Sequence, residues 1–297
     1  MSQSHYGLLL AILSPFLTSI SAVLKTGAAK TLGPLVVLSV GALLGTVILF
    51  FFIILKKAKF DLEIIKKHKN DLILLILSRS ILGELLFTYG LSLTTSIKAI
   101  FFTKVEAYFV LFWFWILARE AIKKRHLLLL FIHIIGAIIL STGGRFKGIA
   151  EAQIGDLLII LAMGFFSYSY FPATKVSKAI GAVQTNIISL TVAGIFFLPF
   201  AIFLSPHLIL KPSIGWVYLL GHTVLFTSVG LTFWLVSLKT VKGWMVSALR
   251  ALGPLVGAPF AYFLFGDKLN PTQILGGAIV LTTSFLIALE HLRSSKT

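Results

Sequence analysis

Cysteine is absent from the 297 residues, so disulfides and thiolate metal sites are excluded. Charge is scarce: Asp, Glu, Lys and Arg together make up 12% of the chain, about half the usual share for a soluble domain. Acidic residues are scarcest, ten against 26 Lys and Arg. The chain has no Walker phosphate loop, no H-E-x-x-H pair and no G-x-S-x-G turn, which argues against direct ATP drive and against zinc-peptidase or α/β-hydrolase chemistry. What remains is apolar: 58% hydrophobic residues and a mean hydropathy of +1.00. A water-soluble protein of this size has too little interior to hide that much apolar surface. A cytosolic enzyme, a secreted disulfide scaffold and a disordered chain are therefore excluded. The net charge of +16 does not indicate nucleic acid. The basic residues fall in short clusters between long apolar runs, which suits anchoring to anionic headgroups of membrane lipids.

A helix needs about 20 apolar residues to cross the hydrocarbon core. Ten such runs are read, at about 7–24, 34–55, 71–92, 98–117, 126–142, 153–174, 186–205, 213–237, 243–265 and 273–290. The runs are continuous rather than alternating, which excludes a β-barrel. Gly33-Pro34, Gly143-Gly144, Pro206, Pro212 and Asn270-Pro271 punctuate them. Nine short loops and two short tails leave no room for a soluble domain. The first run lacks a basic flank and a clear cleavage site, so it is expected to be retained. Of the 26 Lys and Arg, Lys25, Lys30, Lys98, Arg145, Lys147, Lys211 and Lys268 fall on one side. Arg79, Lys104 and Arg250 lie within spans, and the other sixteen fall on the opposite side. The positive-inside rule then predicts both termini in the cytoplasm, and the minimal loops favour a plasma (inner) membrane.

The halves 1–148 and 149–297 look related. Gly155-Asp156 opens the second about 148 residues after Gly7, and Arg119-Glu120 and Gly266-Asp267 close matching stretches 147 apart. Five spans per half is an odd number, so the second copy must be inserted upside down. The expected fold is an all-α integral membrane protein of ten transmembrane helices in two inverted five-helix repeats. That architecture belongs to secondary transporters, with the solute site near the midplane between the repeats.

Three stretches carry a family resemblance: Ala248-Leu249-Arg250-Ala251-Leu252-Gly253-Pro254, then Leu264-Phe265-Gly266-Asp267-Lys268-Leu269, then Gln273-Ile274-Leu275-Gly276-Gly277. With Gly155-Asp156-Leu157-Leu158 and Lys25, they resemble the EamA-type family of the drug/metabolite transporter superfamily, over both halves and nearly the whole chain. The resemblance implies an exporter or exchanger of small metabolites. It leaves the substrate open. Departures are visible: Pro254 pairs with Ala107, so the first-half proline is missing, and Lys104, Glu106 and Arg250 stand where most relatives have small or apolar residues.

A charge at mid-bilayer costs about 2.5–3.5 kcal/mol on insertion scales and is a functional candidate by default. Arg250 shares a helical face with Val246, Ser247, Gly253, Pro254 and Gly257, a small-residue face that can border a cavity. Its guanidinium suits bidentate capture of a carboxylate or phosphate. The alternative is a structural ion pair with Glu106 or Glu84. Lys104 suits cation–π contact or anion binding with Phe101 and Tyr108 on its face, or snorkelling to the outer interface. Glu84 and Glu106 are candidates for proton coupling or for structural pairing. Glu106 lies about 200° from Lys104 on an ideal helix, so its partner is expected on another helix. Arg79 is expected to snorkel and Lys98 to be interfacial. His222 is a coupling candidate and His133 a weaker one, though a lone buried histidine is more often a hydrogen-bonded core residue. Tyr168 and Trp234 suit cavity lining, with packing as the simpler explanation. Pro15, Pro172, Pro199, Pro254 and Pro259 suit helix breaks beside a cavity. Gly41 and Gly45 form a GxxxG that suits close helix packing or a homodimer contact.

These features favour a secondary transporter of a small organic solute, an amino acid or another zwitterionic or anionic metabolite, by export or exchange. A phosphate-ester or nucleotide-sugar exchanger is the alternative. An intramembrane enzyme lacks a nucleophile–base pair or metal cluster. A receptor or retinal protein, with Lys104 as a Schiff-base site, sits poorly with ten spans. No cofactor or metal is expected, and proton coupling is open.

Overall fold

A computed structural model describes residues 3–55, 60–119, 124–143, 154–206 and 212–294. Within them the chain is helical and no strand occurs. Several residues used above lie outside these ranges: the loop cations Lys56, Lys57, Lys59, Lys123, Arg145, Lys147, Lys211 and Lys296, together with Glu120 and Gly144.

The first half runs α1 (Gln3–Leu32), α2 (Pro34–Leu55), α3 (Leu62–Lys67) and α4 (Lys69–Leu75). A π-helical segment, Ile76–Gly83, leads into α5 (Glu84–Leu93). Then come α6 (Ser96–Phe102), a 3-10 segment Thr103–Val105, α7 (Glu106–Ala118) and α8 (Lys124–Thr142). The second half runs α9 (Ile154–Tyr168), α10 (Tyr170–Ala179), α11 (Ala182–Leu204) and α12 (Gly215–His222). A π segment Thr223–Gly230 leads into α13 (Leu231–Ser237). Finally α14 (Gly243–Leu249), a 3-10 segment Arg250–Leu252, α15 (Pro254–Phe265) and α16 (Pro271–Ser294) complete the chain.

The irregularities recur in register. The π segments begin at 76 and 223, the 3-10 segments at 103 and 250, both 147 apart. The left-handed caps Arg119 (φ 56°) and Gly266 (φ 66°) are also 147 apart, and the positive-φ linkers Gly33 and Gly181 are 148 apart. Packing partners are exchanged between halves in the same way. Helix α1 lies along α12 and α13, while its counterpart α9 lies along the first π segment and α5. Helix α2 pairs with α11, and α8 with α16. The last pair meets at Gly276, where a Cβ would stand 2.5 Å from the Leu140 backbone nitrogen.

Six segments are long and apolar enough to cross a membrane: 5–32, 34–55, 69–93, 96–117, 182–204 and 215–237. The pair α9 and α10, bent by 42°, makes a seventh when the two are counted as one span. Pro172 accounts for that bend, since its ring excludes the bond to the Tyr168 carbonyl at the break. The run expected at 243–265 is divided by the 3-10 segment at Arg250–Leu252, and Pro254–Phe265 and Pro271–Leu286 are shorter apolar helices. The first run was expected to end near residue 24, but α1 continues to Leu32. Lys25 is therefore a buried helical residue, 3% exposed, rather than a loop cation. The Gly41/Gly45 pair packs within the chain. Their Cβ positions meet Leu219 at 2.9 Å and Thr227 at 2.7 Å, so this small-residue face is already occupied.

Candidate functional site

A narrow cavity lies where both sets of breaks converge. Its wall includes Thr18, Ser19 and Lys25 of α1, Arg79 of the first π segment, and Glu84 and Phe87 of α5. Lys104, Phe166, His222, Phe226 and Arg250 close it from the other side. A second narrow chamber, toward α2 and α11, shares Lys25, Arg79, Glu84, His222 and Phe226 with it. A third, smaller still, shares Thr103, Lys104 and Arg250, and adds Glu106 and Ser284.

Proline chemistry builds one corner. Pro254 has no N–H to give the carbonyl four residues back, which is Arg250's. That oxygen accepts instead from Gly253 N at 3.1 Å and from the Lys104 ammonium at 2.6 Å. Lys104, 6% exposed, thus bonds inward across the two halves and does not snorkel. The Arg250 side chain faces Glu106: Nη1 donates to Oε1 at 3.3 Å, and Nε stands 3.3 Å from Oε2 in charge contact. The Tyr170 hydroxyl donates to the same Oε1 at 2.7 Å. Glu106 therefore finds its cation on another helix, as the helical geometry required.

The opposite corner holds a second pair. Lys25 donates to Glu84 and lies 5.3 Å from the Phe87 ring centroid. His222 Nδ1 shares a 2.6 Å hydrogen bond with Ser21 Oγ, and Nε2 lies 3.3 Å from Thr227 Oγ1. Arg79 does not snorkel either. It is 4% exposed, with its guanidinium 4.1 Å from the Trp234 ring centroid and 5.0 Å from that of Phe166. A cation held in low dielectric without a contacting anion costs several kcal/mol; the aromatic faces and the longer-range attraction of Glu84 and Glu106 offset part of that here.

The remaining expected residues scatter. Trp234 stands behind Arg79, edge-on to Tyr170 at 5.1 Å. Tyr108 turns away into a separate apolar groove, where it stacks on His133 at 4.6 Å and donates to the Leu129 carbonyl at 3.3 Å. His133 bonds Thr283 Oγ1 at 3.0 Å. Tyr168 packs edge-on to Trp113 at 5.1 Å. Lys98 is 12% exposed and lies 4.0 Å from Asp156, which also accepts from Thr94 Oγ1 at 2.5 Å. Lys25, Arg79 and Tyr170 are the site residues that sequence reasoning passed over. Lys25 and Arg79 carried a signal, being cations inside apolar stretches; Tyr170 carried none beyond its place in an aromatic cluster. Among the described residues no group of three or more His, Cys, Asp or Glu comes together to hold a metal.

Comparisons with known proteins bear on the family and the fold. The model of the EamA-like transporter family matches residues 5–142 and again 153–289. An uncharacterized transporter of Methanothermobacter thermautotrophicus is 27% identical over 226 residues, 74% of this chain and 65% of that protein. The uncharacterized transporter YetK of Bacillus subtilis is 25% identical over 229 residues, 71% of this chain and 68% of that protein. The chain thus spans about two thirds of the length of these curated relatives. A crystal structure at 13% identity superposes with a TM-score of 0.68, covering 100% of this chain and 99% of the other, and shows a shared fold.

Proposed function

We propose, from the premise that this chain belongs to the EamA-like transporter family, that it is a secondary transporter of a small anionic or zwitterionic organic solute. One observation carries the charge preference. Four buried or half-buried cations, Lys25, Arg79, Lys104 and Arg250, border the joined chambers against two carboxylates, Glu84 and Glu106. A solute carrying negative charge balances that surplus in a dry site, whereas a cation adds to it.

Ten spans in two inverted repeats, 1–148 and 149–297, give the mechanism its form. The recurrence at 147–148 residues and the exchange of packing partners between halves support that architecture. Rocking of one repeat against the other would expose the chambers alternately to each side. Arg250 and Lys104 set the charge of the wall, Trp234 backs it, and Glu84, Glu106 and His222 are the groups able to couple a proton to the cycle. Tyr108 and Tyr168 are assigned to packing in this scheme. A plasma membrane with both termini in the cytoplasm fits the loop cations.

The test is a thermal-shift screen of the purified protein against amino acids, carboxylates, phosphate esters and nucleotide sugars. A ligand of the native state raises the melting temperature by mass action. Anionic or zwitterionic solutes are expected to stabilise the wild type and to lose that effect in Arg250→Ala. Stabilisation by cationic solutes alone would overturn the assignment.

A further inference from the structure

Six charged side chains border the joined chambers, and five of them have a polar partner. Lys25 and Glu84 hold each other, Arg250 and Glu106 hold each other, and Lys104 donates to the Arg250 carbonyl. Arg79 is the sixth. Its Nη1 is fully buried and has no hydrogen-bond partner among the described residues. Trp234 and Phe166 lie against the guanidinium, and such stacking orients a guanidinium without consuming its in-plane donors. Arg79 lines both the main chamber and the one beside it.

The repeat adds a second, independent observation. Arg79 lies on the first π segment, and 147 residues on, at the same place in the second, stands Phe226. Phe226 lines the same two chambers as Arg79. π-Helical turns are uncommon and concentrate at functional sites. Here two of them, one from each half, line the same chambers, with a cation whose Nη1 lacks a hydrogen-bond partner on one and a phenyl ring on the other. Phe87, Met163 and Ile100 extend the apolar side of the wall.

We infer that Arg79 is the residue that takes the anionic group of the solute, that this group is a carboxylate, and that Phe226 bounds the solute's apolar part. The inference rests on the proposed transport of an anionic or zwitterionic solute and narrows it to carboxylates with a compact apolar body. The planar fork of donors fits a carboxylate in two parallel hydrogen bonds. Removing the partnerless state of Arg79 is then part of what binding accomplishes.

Matched probes separate the groups involved: L-leucine and L-phenylalanine, their amides, and 4-methylpentanoate and 3-phenylpropanoate. Melting temperatures are measured for the wild type, Arg79→Gln, Arg79→Lys and Arg250→Ala, with glycerol-2-phosphate as a non-carboxylate anion. The free acids are expected to stabilise the wild type and the amides are not. Arg79→Gln abolishes the shift, and Arg79→Lys, which keeps the charge but not the fork, weakens apparent affinity at least tenfold. Without ligand, Arg79→Gln is expected to melt little or no lower than the wild type, because it removes a buried cation that no carboxylate contacts directly; a purely structural arginine would give a large drop. Stabilisation by the amino acids but not by the simple acids identifies a zwitterionic solute, and stabilisation by both identifies a carboxylate requirement alone; either outcome, when abolished in Arg79→Gln, supports Arg79. If the acids still stabilise Arg79→Gln but not Arg250→Ala, the Arg79 assignment fails and the anionic-solute reading stands. If glycerol-2-phosphate stabilises and no carboxylate does, the carboxylate class is wrong. Shifts unaffected by either arginine, or no shift from any anion, overturn both.

Discussion

The two halves of the chain share their helix breaks but not the chemistry placed on them. At the 3-10 segments, the first half supplies Lys104 with Glu106 just beyond, and the second supplies Arg250 followed by Pro254. At the π segments the first supplies Arg79 and the second Phe226. Each break supplies what the other lacks. Glu106 neutralises Arg250, and Lys104 satisfies the carbonyl that Pro254 left free. Shared backbone irregularity with divergent side chains turns a symmetric frame into an asymmetric cavity carrying surplus positive charge.

Glu106→Ala should break this complementarity most severely. It leaves Arg250 buried without its anion and Tyr170 without its acceptor. A loss of about 3–5 kcal/mol is expected for a buried pair broken on one side. Chemical denaturation in detergent measures it, and the double change Glu106→Gln with Arg250→Met should recover most of the loss. Next comes Ala107→Pro, which gives the first half the proline of the second. Proline inside a regular helix costs about 3 kcal/mol or more. The first half already turns through a 3-10 segment there, so the cost should fall clearly below that figure; a full penalty would show that the two breaks are not equivalent. Smaller again is the coupling between Lys104 and Pro254. Pro254→Ala returns an N–H to compete for the Arg250 carbonyl, so a double-mutant cycle with Lys104→Met should show about 1 kcal/mol of interaction, and additivity would deny the link. The smallest effect concerns the caps. Arg119 occupies the left-handed conformation that Gly266 occupies in the other half. Arg119→Gly should stabilise the protein by up to about 1 kcal/mol, and Gly266→Ala should destabilise it by a similar amount.

Much of this frame was legible in the sequence because hydropathy and repeat spacing are properties of long stretches. The apolar runs, the 147-residue offset and the buried position of Arg250 and Glu106 follow from patterns that no single contact can override. What was illegible depended on direction. A cation in a span either reaches for the interface or finds a partner inside, and periodicity does not choose between them. Arg79 and Lys104 both turned inward, one to aromatic faces and one to a carbonyl freed by a proline more than a hundred residues away. The first apolar run reads as ending near residue 24, which leaves Lys25 in a loop, yet α1 runs on to Leu32. Tyr108 lies on the same predicted face as Lys104, but Lys104 sits in a 3-10 segment that shifts the helical phase before Tyr108, and the tyrosine lines another groove.

The central claim is that the chambers between the halves carry surplus positive charge. The absence of cysteine makes the native chain its own background for testing it. A single Thr18→Cys places a thiol on the wall of the main chamber. Its reaction rates with a negatively and a positively charged methanethiosulfonate reagent of similar size are compared with those of free cysteine in the same buffer. The account predicts a ratio displaced toward the anionic reagent by about tenfold or more, equivalent to about 1.4 kcal/mol, and a smaller displacement when Arg79→Gln is added. A ratio equal to that of the free thiol, or displaced toward the cationic reagent, would contradict it.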